Sequence, residues 1–221
     1  MESFNFGYFK NNINRKSIIR KGRTIANKYI AWKLNKEYYD GKRINGYGGF
    51  YYDGRWKEFL PKIIKRYSIK KSSKILDIGC KKGFFLKDLK DLVPGIQIQG
   101  IENHKYPIVN SHPQVKKFLK FSNYYDLKYK DKYFDFVFAF NSVYSQNLGD
   151  VIKSLKEIKR ISKKSYVVLA SYSNEEEKRL FHKWTLLGTT VLSKKEWFQL
   201  FKLVGYKGDY YFSNAESLGL K

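Results

Sequence analysis

Apolar residues in this chain alternate between the spacing of buried strands and the spacing of amphipathic helices. An apolar run at 74–78 leads into two glycines, Gly79 and Gly83, and a helical pattern follows over 84–92. A short apolar run that ends in glycine and continues into a helical period predicts a strand, a tight turn and a helix. Gly79 permits a sharp backbone turn, and Gly83 lets the helix begin close against the strand. Such a turn holds a nucleotide-like ligand.

Further strands and helices alternate after this turn. The segment 133–140 is continuously apolar apart from Asp135, which is typical of a strand buried on both faces of a parallel sheet. Ser193 and Glu196 have the spacing of a capping box and predict a helix that Gly205 ends. The order of elements is typical of an open, doubly wound α/β sheet with helices on both faces, in which ligands bind at the carboxyl ends of the strands. The other predicted strands lie at 97–101, 115–121, 166–170 and 210–212, and the other predicted helices at 56–67, 106–111, 151–161 and 174–187.

The composition of the chain changes before the first predicted strand. Residues 1–38 are basic and weakly amphipathic, which predicts one or two helices ahead of the core. At 221 residues the chain suits one domain of ordinary to large size, and a second full domain is not expected. We therefore predict an N-terminal helical and glycine/aromatic-rich cap segment over 1–68 and a ligand-binding core over 69–221, together forming one globular unit.

The segment 39–56, here named the cap loop, repeats the phrase Tyr-Asp-Gly followed by a basic residue, at 39–42 and at 52–55. Asp-Gly pairs favour turns, so one interpretation is a turn-rich excursion at the surface. The alternative is a wall of a small-molecule pocket, because six aromatic residues beside two arginines are unusual in a solvent loop. The pocket interpretation is favoured. Its candidates for substrate contact are Tyr47, Gly48, Tyr52, Asp53, Arg55 and Trp56, together with Trp184 from a later predicted helix.

The net charge of +24 is large enough to attract phosphate backbones. Only eight of the 44 basic residues are arginine, and the lysines are spread over every segment. Nucleic-acid recognition usually relies on arginine and on a localised basic patch. Drift toward AT-rich codons, which also accounts for the many Asn, Ile, Tyr and Phe residues, is therefore favoured over a nucleic-acid partner. The densest basic cluster, between Arg15 and Arg23, keeps that partner as an alternative.

The cysteine content and the N-terminal sequence set expectations about location. The single cysteine, Cys80, excludes an internal disulfide and a zinc site built from several cysteines. The first residues lack the basic start and apolar core of a secretory signal, and no apolar run approaches the ~20 residues of a membrane span. We therefore expect a soluble protein in the reducing cytoplasm.

Two acidic residues follow the first two strands of the core. Asp77 ends the first strand, and Glu102 ends the second, 25 residues further on. A carboxylate in the second position suits the two hydroxyl groups of a ribose, so a nucleoside is the expected ligand. Dinucleotide enzymes share this arrangement, but their Gly-x-Gly-x-x-Gly turn supplies amides for a pyrophosphate. Here Lys81 stands in place of the middle glycine, so a phosphate cradle is poorly supplied.

The sequence Leu76-Asp77-Ile78-Gly79-Cys80 resembles motif I of the class I S-adenosylmethionine-dependent methyltransferases. The resemblance extends from about residue 39 to residue 212 and implies a Rossmann-like sheet with S-adenosylmethionine as cofactor and S-adenosylhomocysteine as product. It implies that Glu102 binds the ribose, that Asn123 lies by the adenine, and that Asn141 lines the pocket shared by donor and acceptor. The residues implied in cofactor binding are Asp77, Gly79, Cys80, Lys81, Gly83, Glu102, Asn103, Asn123, Tyr124 and Asn141.

The cap loop resembles a subgroup of small bacterial methyltransferases associated with surface-glycan and other small-molecule biosynthesis. The phrase that carries this resemblance is Tyr47-Gly48-Gly49 followed by Tyr52-Asp53-Gly54-Arg55-Trp56. Two features depart from the family. Lys81 replaces a small residue, so its side chain must point to solvent or crowd the donor. One clear strand follows the last helix, where the family sheet normally ends in an antiparallel hairpin.

Methyl transfer from a sulfonium is an in-line displacement, so the protein mainly positions donor and acceptor and excludes water. A base is needed only if the acceptor must lose a proton. Asn141 and Tyr144 share the crevice after the fourth strand and are the candidate catalytic residues. The candidate bases are His104, His112, His182, Asp53 and Tyr144.

Three functions are compatible with the sequence. The leading hypothesis is methylation of a small molecule, such as a sugar or sugar-nucleotide, bound under the cap loop. The second is an RNA methyltransferase that uses residues 10–36 as a basic platform, although no Asn-Pro-Pro-Tyr-like motif follows the fourth strand. The third is a methyltransferase-fold scaffold whose donor site has decayed, which Lys81 motivates. The sequence predicts neither the identity of the acceptor nor the oligomeric state.

Overall fold

The computed structural model describes residues 1–8 and 15–221, and a parallel β-sheet lies at its centre. The strand order is β3-β2-β1-β4-β5, with β7 beside β5 and the two-residue β6 paired to the end of β5. Every strand pairing in the described part of the chain is parallel, and the predicted doubly wound α/β sheet is confirmed. The strands are β1 (Lys74–Ile78), β2 (Gln97–Glu102), β3 (Leu119–Phe121), β4 (Phe134–Phe140), β5 (Ser162–Tyr172), β6 (Leu192–Ser193) and β7 (Asp209–Ser213).

Helices connect the strands and form the N-terminal extension, where the described residues contain three short helices rather than one or two. The predicted capping box is present, because Ser193 accepts the N–H of Glu196 while the Glu196 carboxylate accepts the N–H of Ser193. The predicted stop at Gly205 is also present, in the left-handed conformation. The helices are α1 (Lys16–Lys21), α2 (Ile25–Trp32), α3 (Lys36–Tyr39), α4 (Trp56–Tyr67), α5 (Phe84–Leu92), α6 (Lys105–Val109), α7 (Leu148–Ile161), α8 (Glu175–Trp184) and α9 (Lys194–Val204).

The two faces of the sheet carry separate hydrophobic cores, because successive strand residues point to opposite sides. On β5, Tyr166 and Val168 pack on the face covered by α4 and α5, whereas Val167 and Leu169 pack on the face covered by α7 and α9. The indole N–H of Trp197 in α9 donates to the carbonyl oxygen of Ala170 at 2.8 Å. Burial of both faces explains why the central strands are continuously apolar.

Two predicted elements are shorter than expected. The predicted strand over 115–121 is a strand only at Leu119–Phe121, because β2 offers pairing partners there only from Gly100 to Glu102. The predicted helix over 174–187 ends at Trp184, since Thr185 adopts an extended conformation and its hydroxyl oxygen accepts the N–H of Gly188. The residues after Trp184 consequently form a loop instead of continuing the helix.

The outer edge of β7 is paired with the N-terminus of the chain. The N–H of Phe4 donates to the carbonyl oxygen of Tyr210 at 2.9 Å, and the N–H of Tyr210 donates to that of Glu2 at 3.1 Å. Ser3 thereby forms a parallel bridge with Tyr210. In the described residues this segment covers the edge of the last strand, where an antiparallel hairpin is normal for the family, and a covered edge resists pairing with other chains.

The cap loop is fastened to the core by a buried ion pair. The Asp40 carboxylate accepts hydrogen bonds from the Lys82 ammonium at 2.7 and 2.9 Å, from the Tyr106 hydroxyl at 2.7 Å and from the Phe50 N–H at 3.2 Å. Burial alone raises the pKa of Asp40, but the hydrogen bonds from Lys82 and Tyr106 hold it below its ordinary value. Because Lys82 belongs to the glycine turn, this contact ties the cap directly to that turn.

A second fastening lies at the other end of the cap loop. The buried Asp88 carboxylate, on α5, accepts the hydroxyl of Tyr52 at 2.5 Å and the backbone N–H of Trp56 at 3.1 Å. The indole of Trp56 packs into the same core as Phe85. The cap loop is therefore held to the core at both ends.

Within residues 1–8 and 15–221, none of the helices combines the length and apolar character that crossing a bilayer requires. The expected cytoplasmic location stays a prediction.

Candidate active site

The turn after β1 requires glycine at its first position. Gly79 has a φ of +77°, and a Cβ atom added there would lie 2.1 Å from the Cβ of Ser142. The hydroxyl of Ser142 donates to the carbonyl oxygen of Ile78 at 2.7 Å, so β4 and the turn are in direct contact. Gly79 itself donates its N–H to the carbonyl oxygen of Ile101 at 2.7 Å. These contacts bring the carboxyl ends of β1, β2 and β4 together.

We expect Gly79→Ala to lower the free energy of unfolding by about 2–5 kcal/mol. An L-residue in the left-handed region costs about 1–2 kcal/mol, and overpacking against Ser142 adds about 1–3 kcal/mol. Gly219→Ala is the matched control, since Gly219 has a φ of +62° with open space around it. Urea unfolding of both variants separates backbone strain from the collision. Equal losses would show that Ser142 yields without cost.

Glu102 is a buried acid of the site, with 1% of its surface exposed. Its Oε2 atom accepts the N–H of Lys81 at 2.9 Å. Its Oε1 atom accepts the N–H of Asn103 at 2.9 Å and the hydroxyl of Tyr124 at 3.2 Å, and lies 2.8 Å from Nδ1 of His104. The carboxylate is thus fixed in place beside the turn, with lone pairs on Oε2 still available to hydroxyl donors.

Asp77 lies beside Glu102 and is also buried. Burial raises its pKa to about 7, the Lys81 ammonium opposes that rise, and the Glu102 carboxylate adds to it. In the described part of the chain no hydrogen bond to the Asp77 carboxylate is present. A cation placed next to a buried carboxylate of this kind stabilises its ionised form.

The pH dependence of donor binding follows from Asp77. A cationic ligand favours the ionised carboxylate, so affinity for S-adenosylmethionine is expected to rise about tenfold between about pH 6 and about pH 8 as Asp77 loses its proton. Asp77→Asn is the control, because it retains the shape and removes the titration. Calorimetric titrations at both pH values check this, and an equal pH response of the two proteins would contradict it.

Lys81 turns back into the cavity rather than out to solvent. Its φ is +52°, and its Nζ atom lies 3.4 Å from the carbonyl oxygens of Gly79 and Phe140. The ammonium therefore lies at the ends of β1 and β4, where the resemblance implies the donor. Of the two expected placements, the structure has the one that crowds this end of the cavity.

The predicted adenine and ribose neighbours divide into two groups. Tyr124 is buried, lines the cavity and donates its hydroxyl to Oδ1 of Asn103 at 2.8 Å. Asn103 does not line the cavity itself and contacts it only through Tyr124. Asn123 accepts the N–H of Tyr125 and is not among the cavity-lining residues. Gly83 does not line the cavity either, and it allows close packing of α5 against Val115.

The two candidate catalytic residues both lie at the end of β4. Asn141 has a φ of +51°, and its Oδ1 atom is buried without a hydrogen-bond partner in the described residues. Tyr144 lines the same cavity, and burial raises the pKa of its hydroxyl, with Tyr38 adding to the rise. Because a buried acceptor atom without a partner is costly, Asn141 has capacity for a donor group of a ligand.

The candidate bases are placed differently. His104 lines the cavity next to Glu102, whereas His112 and His182 do not. The His112 ring packs against Tyr52, and burial lowers its pKa. His182 is exposed on α8. Asp53 lines the cavity but forms an ion pair with Arg55 at 2.5 Å.

A cavity of about 340 Å³ joins the turn to the cap. Among the predicted substrate residues, Gly48 and Tyr52 do not line it, and the Tyr52 hydroxyl is engaged by Asp88. Sequence reasoning did not single out Arg43 or Tyr38 of the lining, and it interpreted Arg15 and Arg23 as part of a surface cluster. The predicted residues that do line it are Asp77, Gly79, Cys80, Lys81, Glu102, Tyr124, Asn141, Tyr144, Tyr47, Asp53, Arg55, Trp56 and Trp184.

Solved structures of similar fold support the architecture. The YcgJ protein of Bacillus subtilis is 18% identical, with a TM-score of 0.53, over 66% of each chain. A Bacillus halodurans protein assigned as a methyltransferase is 12% identical, with a TM-score of 0.51, over 66% of this chain and 68% of that one. The [4+2]-cyclase SpnF is 17% identical, with a TM-score of 0.52, over 67% of this chain and 56% of its own. These likenesses concern the fold alone.

The family follows from the sequence comparison. No curated protein matches the chain. The profile of a family described as methyltransferase domain matches residues 51–209, which include β1 to β5, the glycine turn and all four cavity-lining acids in the described residues. The chain therefore belongs to the methyltransferase domain family and has the fold of the class I S-adenosylmethionine-dependent enzymes.

Proposed function

We propose that this protein transfers a methyl group from S-adenosylmethionine to a small molecule bound under the cap loop. The observation that carries the proposal is a continuous cavity that has Asp77 and Glu102 at one end and the cap aromatics at the other. An enclosed pocket with aromatic walls suits a small acceptor. A sugar or sugar-nucleotide, as in the bacterial subgroup that the cap loop resembles, is the proposed acceptor.

The residues at the turn supply the acceptor oxygens and the negative charge that S-adenosylmethionine needs. Glu102 has free lone pairs for ribose hydroxyls, Asp77 supplies a carboxylate for the cationic part, and Asn141 offers a buried amide oxygen without a partner in the described residues. When bound, S-adenosylmethionine supplies an electrophilic methyl group on a sulfonium. The protein's own part is to hold the two reactants in line and to exclude water.

Acceptor positioning is assigned to the residues after β4 and to the cap. Asn141 and Tyr144 lie between the turn and the cap aromatics, so they can contact both reactants. His104 also lines the cavity, but its Nδ1 atom is hydrogen-bonded to Glu102. An acceptor that must lose a proton would use the other ring nitrogen of His104, because the raised pKa of Tyr144 keeps its hydroxyl protonated.

The test is calorimetric titration with S-adenosylmethionine, followed by transfer of a radiolabelled methyl group to a panel of sugars, sugar-nucleotides and RNA. Donor binding and a methylated small molecule support the proposal. A methylated RNA, with affinity that falls steeply with salt, would replace it by the RNA hypothesis. Of the predicted RNA platform, residues 10–14 lie outside the described residues.

Lys81→Ala distinguishes an active site from a decayed one. If the Lys81 ammonium only donates hydrogen bonds to the carbonyl oxygens of Gly79 and Phe140, the wild-type protein binds S-adenosylmethionine and the variant binds it with a modestly changed affinity. If the wild type fails to bind and the variant binds, Lys81 obstructs the site and the scaffold hypothesis replaces the enzyme.

A further inference from the structure

Three arginines from separate parts of the chain surround one tryptophan at the cap end of the cavity. The guanidinium carbons of Arg15, Arg23 and Arg43 lie 6.0, 4.4 and 5.1 Å from the centre of the Trp184 ring. All four side chains line the cavity, and Arg15 is only 8% exposed. Arg55 also lines it, so four of the eight arginines in this lysine-rich chain face one space. We name Arg15, Arg23 and Arg43 the arginine cluster.

The arginine cluster has no acidic partner in the described residues. Arg15 donates to the carbonyl oxygen of Leu218 at 3.0 Å, and Arg23 donates to those of Ile44, Arg43 and Trp184. Arg43 donates to the carbonyl oxygen of Gly46. Residues 9–14, which lie outside the described part, include neither Asp nor Glu. Three guanidinium groups thus share a partly buried space without a counter-charge, which is unfavourable unless an anion joins them.

The pKa values of the three arginines also reflect the missing counter-charge. Burial lowers the pKa of all three guanidinium groups, and repulsion from Arg43 lowers those of Arg15 and Arg23 further, that of Arg23 to about 10. All three are still cations at neutral pH. Their repulsion costs free energy that a bound anion would recover.

The two ends of the cavity differ in electrostatic character. The turn end carries the carboxylates of Asp77 and Glu102 together with the Lys81 ammonium, whereas the cap end carries the arginine cluster. Tyr38 lies between them, because Lys81 and Arg23 both act on its pKa, against the dominant effect of burial. The sulfonium of the donor suits the end that carries the two carboxylates and is repelled by the arginine cluster. The single carboxylate of the donor neutralises at most one of the three guanidinium groups, which leaves the cluster to an anion of the acceptor.

We propose that the arginine cluster binds a phosphate or diphosphate group, so that the methyl acceptor is a phosphorylated small molecule. This inference rests on the proposed function and specifies the acceptor class. A phosphoryl dianion presents three oxygens to several guanidinium forks, whereas one carboxylate presents only two. The Trp184 ring stacks against the same guanidinium groups and fixes their positions. The cluster lies within the cavity, where a terminal or bridging phosphate of a small molecule can reach it.

Calorimetric titration of inorganic pyrophosphate into the protein, with and without S-adenosylhomocysteine, tests the proposal. We expect binding to the wild type, at least tenfold weaker binding in Arg43→Gln and in Arg15→Gln, and malonate binding at least tenfold weaker than pyrophosphate. Arg179→Gln is the matched control for lost charge, because Arg179 is exposed and paired with Glu176. Circular dichroism melting confirms that each variant is folded.

Several outcomes would overturn the proposal. Pyrophosphate affinity that falls equally in Arg43→Gln and Arg179→Gln would assign it to overall charge, and malonate as tight as pyrophosphate would assign the cluster to carboxylates. A loss of S-adenosylhomocysteine affinity in Arg43→Gln would assign the cluster to the donor. Displacement of pyrophosphate by a short single-stranded RNA would make the ligand a nucleic acid. Intact S-adenosylhomocysteine binding without pyrophosphate binding rejects this inference and leaves the proposed methyl transfer standing.

Discussion

Glu102→Gln is expected to weaken S-adenosylhomocysteine binding by about 100-fold. A hydrogen bond to a charged group contributes about 1.5–3 kcal/mol, and 1.4 kcal/mol corresponds to a factor of ten in affinity. The substituted side chain loses the charge that favours ribose hydroxyls. In the wild type the backbone N–H groups of Lys81 and Asn103 donate to the carboxylate. In the variant the amide NH₂ group has to face one of these two N–H groups, so one hydrogen bond is lost. Calorimetry with the wild-type and variant proteins measures the change.

Glu157→Gln is the matched control for this experiment. Glu157 is a buried acid on α7 that accepts the N–H of Leu127 and pairs with Arg160, and it does not line the cavity. This variant is expected to lose stability and to keep its donor affinity. Unchanged binding in Glu102→Gln, or an equal loss in both variants, would show that Glu102 does not hold the ribose.

Asp40→Asn is expected to lower the free energy of unfolding by about 3 kcal/mol and to loosen the cap loop. The side chains of Asp40 and Lys82 are only 12% and 7% exposed, so the variant leaves a buried ammonium without its counter-charge. Removal of one partner from a buried pair typically costs about 3–5 kcal/mol, and the Asn side chain can still accept from Tyr106. Urea unfolding gives the change.

Asp53→Asn provides the control, because Asp53 belongs to the second Tyr-Asp-Gly phrase of the cap loop. Its pair with Arg55 has side chains that are 47% and 43% exposed, so its loss is expected to cost about 0–1 kcal/mol. Asp40→Asn combined with Lys82→Met should recover much of the loss, since the unpaired cation is then gone. Similar losses of unfolding free energy in Asp40→Asn and Asp53→Asn would show that the Asp40–Lys82 pair does not hold the cap loop to the core.

The stability contributed by Asp40 also depends on pH, with a definite sign. Its pKa is lowered in the folded protein, so the contribution is complete above the unfolded value of about 3.9 and declines as pH falls through the folded value. In Asp40→Asn this part of the pH dependence is absent.

The residues that line the turn end of the cavity could be predicted because they are local in sequence. Gly79, Asp77 and Glu102 end strands that their apolar runs define, and the carboxyl ends of parallel strands meet at one edge of the sheet. Asn123 shows the limit of this reasoning. A residue after the third strand was expected by the adenine, but the neighbouring Tyr124 lines the cavity, because β3 is short and the chain turns after it.

The arginine cluster at the cap end of the cavity could not be predicted in the same way. Arg15, Arg23 and Arg43 stand in a basic, lysine-rich sequence that resembles a solvated surface, and Trp184 is distant from all three along the chain. Only packing of the N-terminal helices and the cap loop beside the end of α8 brings them to one ring. No local pattern carries that information.

The sequence by itself determined the alternation of strands and helices, the glycine turn and the acids beside it, because hydrophobic period and backbone conformation act over a few residues. The tertiary structure decided which of two identical Tyr-Asp-Gly phrases is buried. It also decided that Lys81 turns inward and that three arginines are partly buried without a counter-charge from the described residues. Burial and electrostatic pairing depend on neighbours that are distant in sequence, so they exist only after the chain has packed.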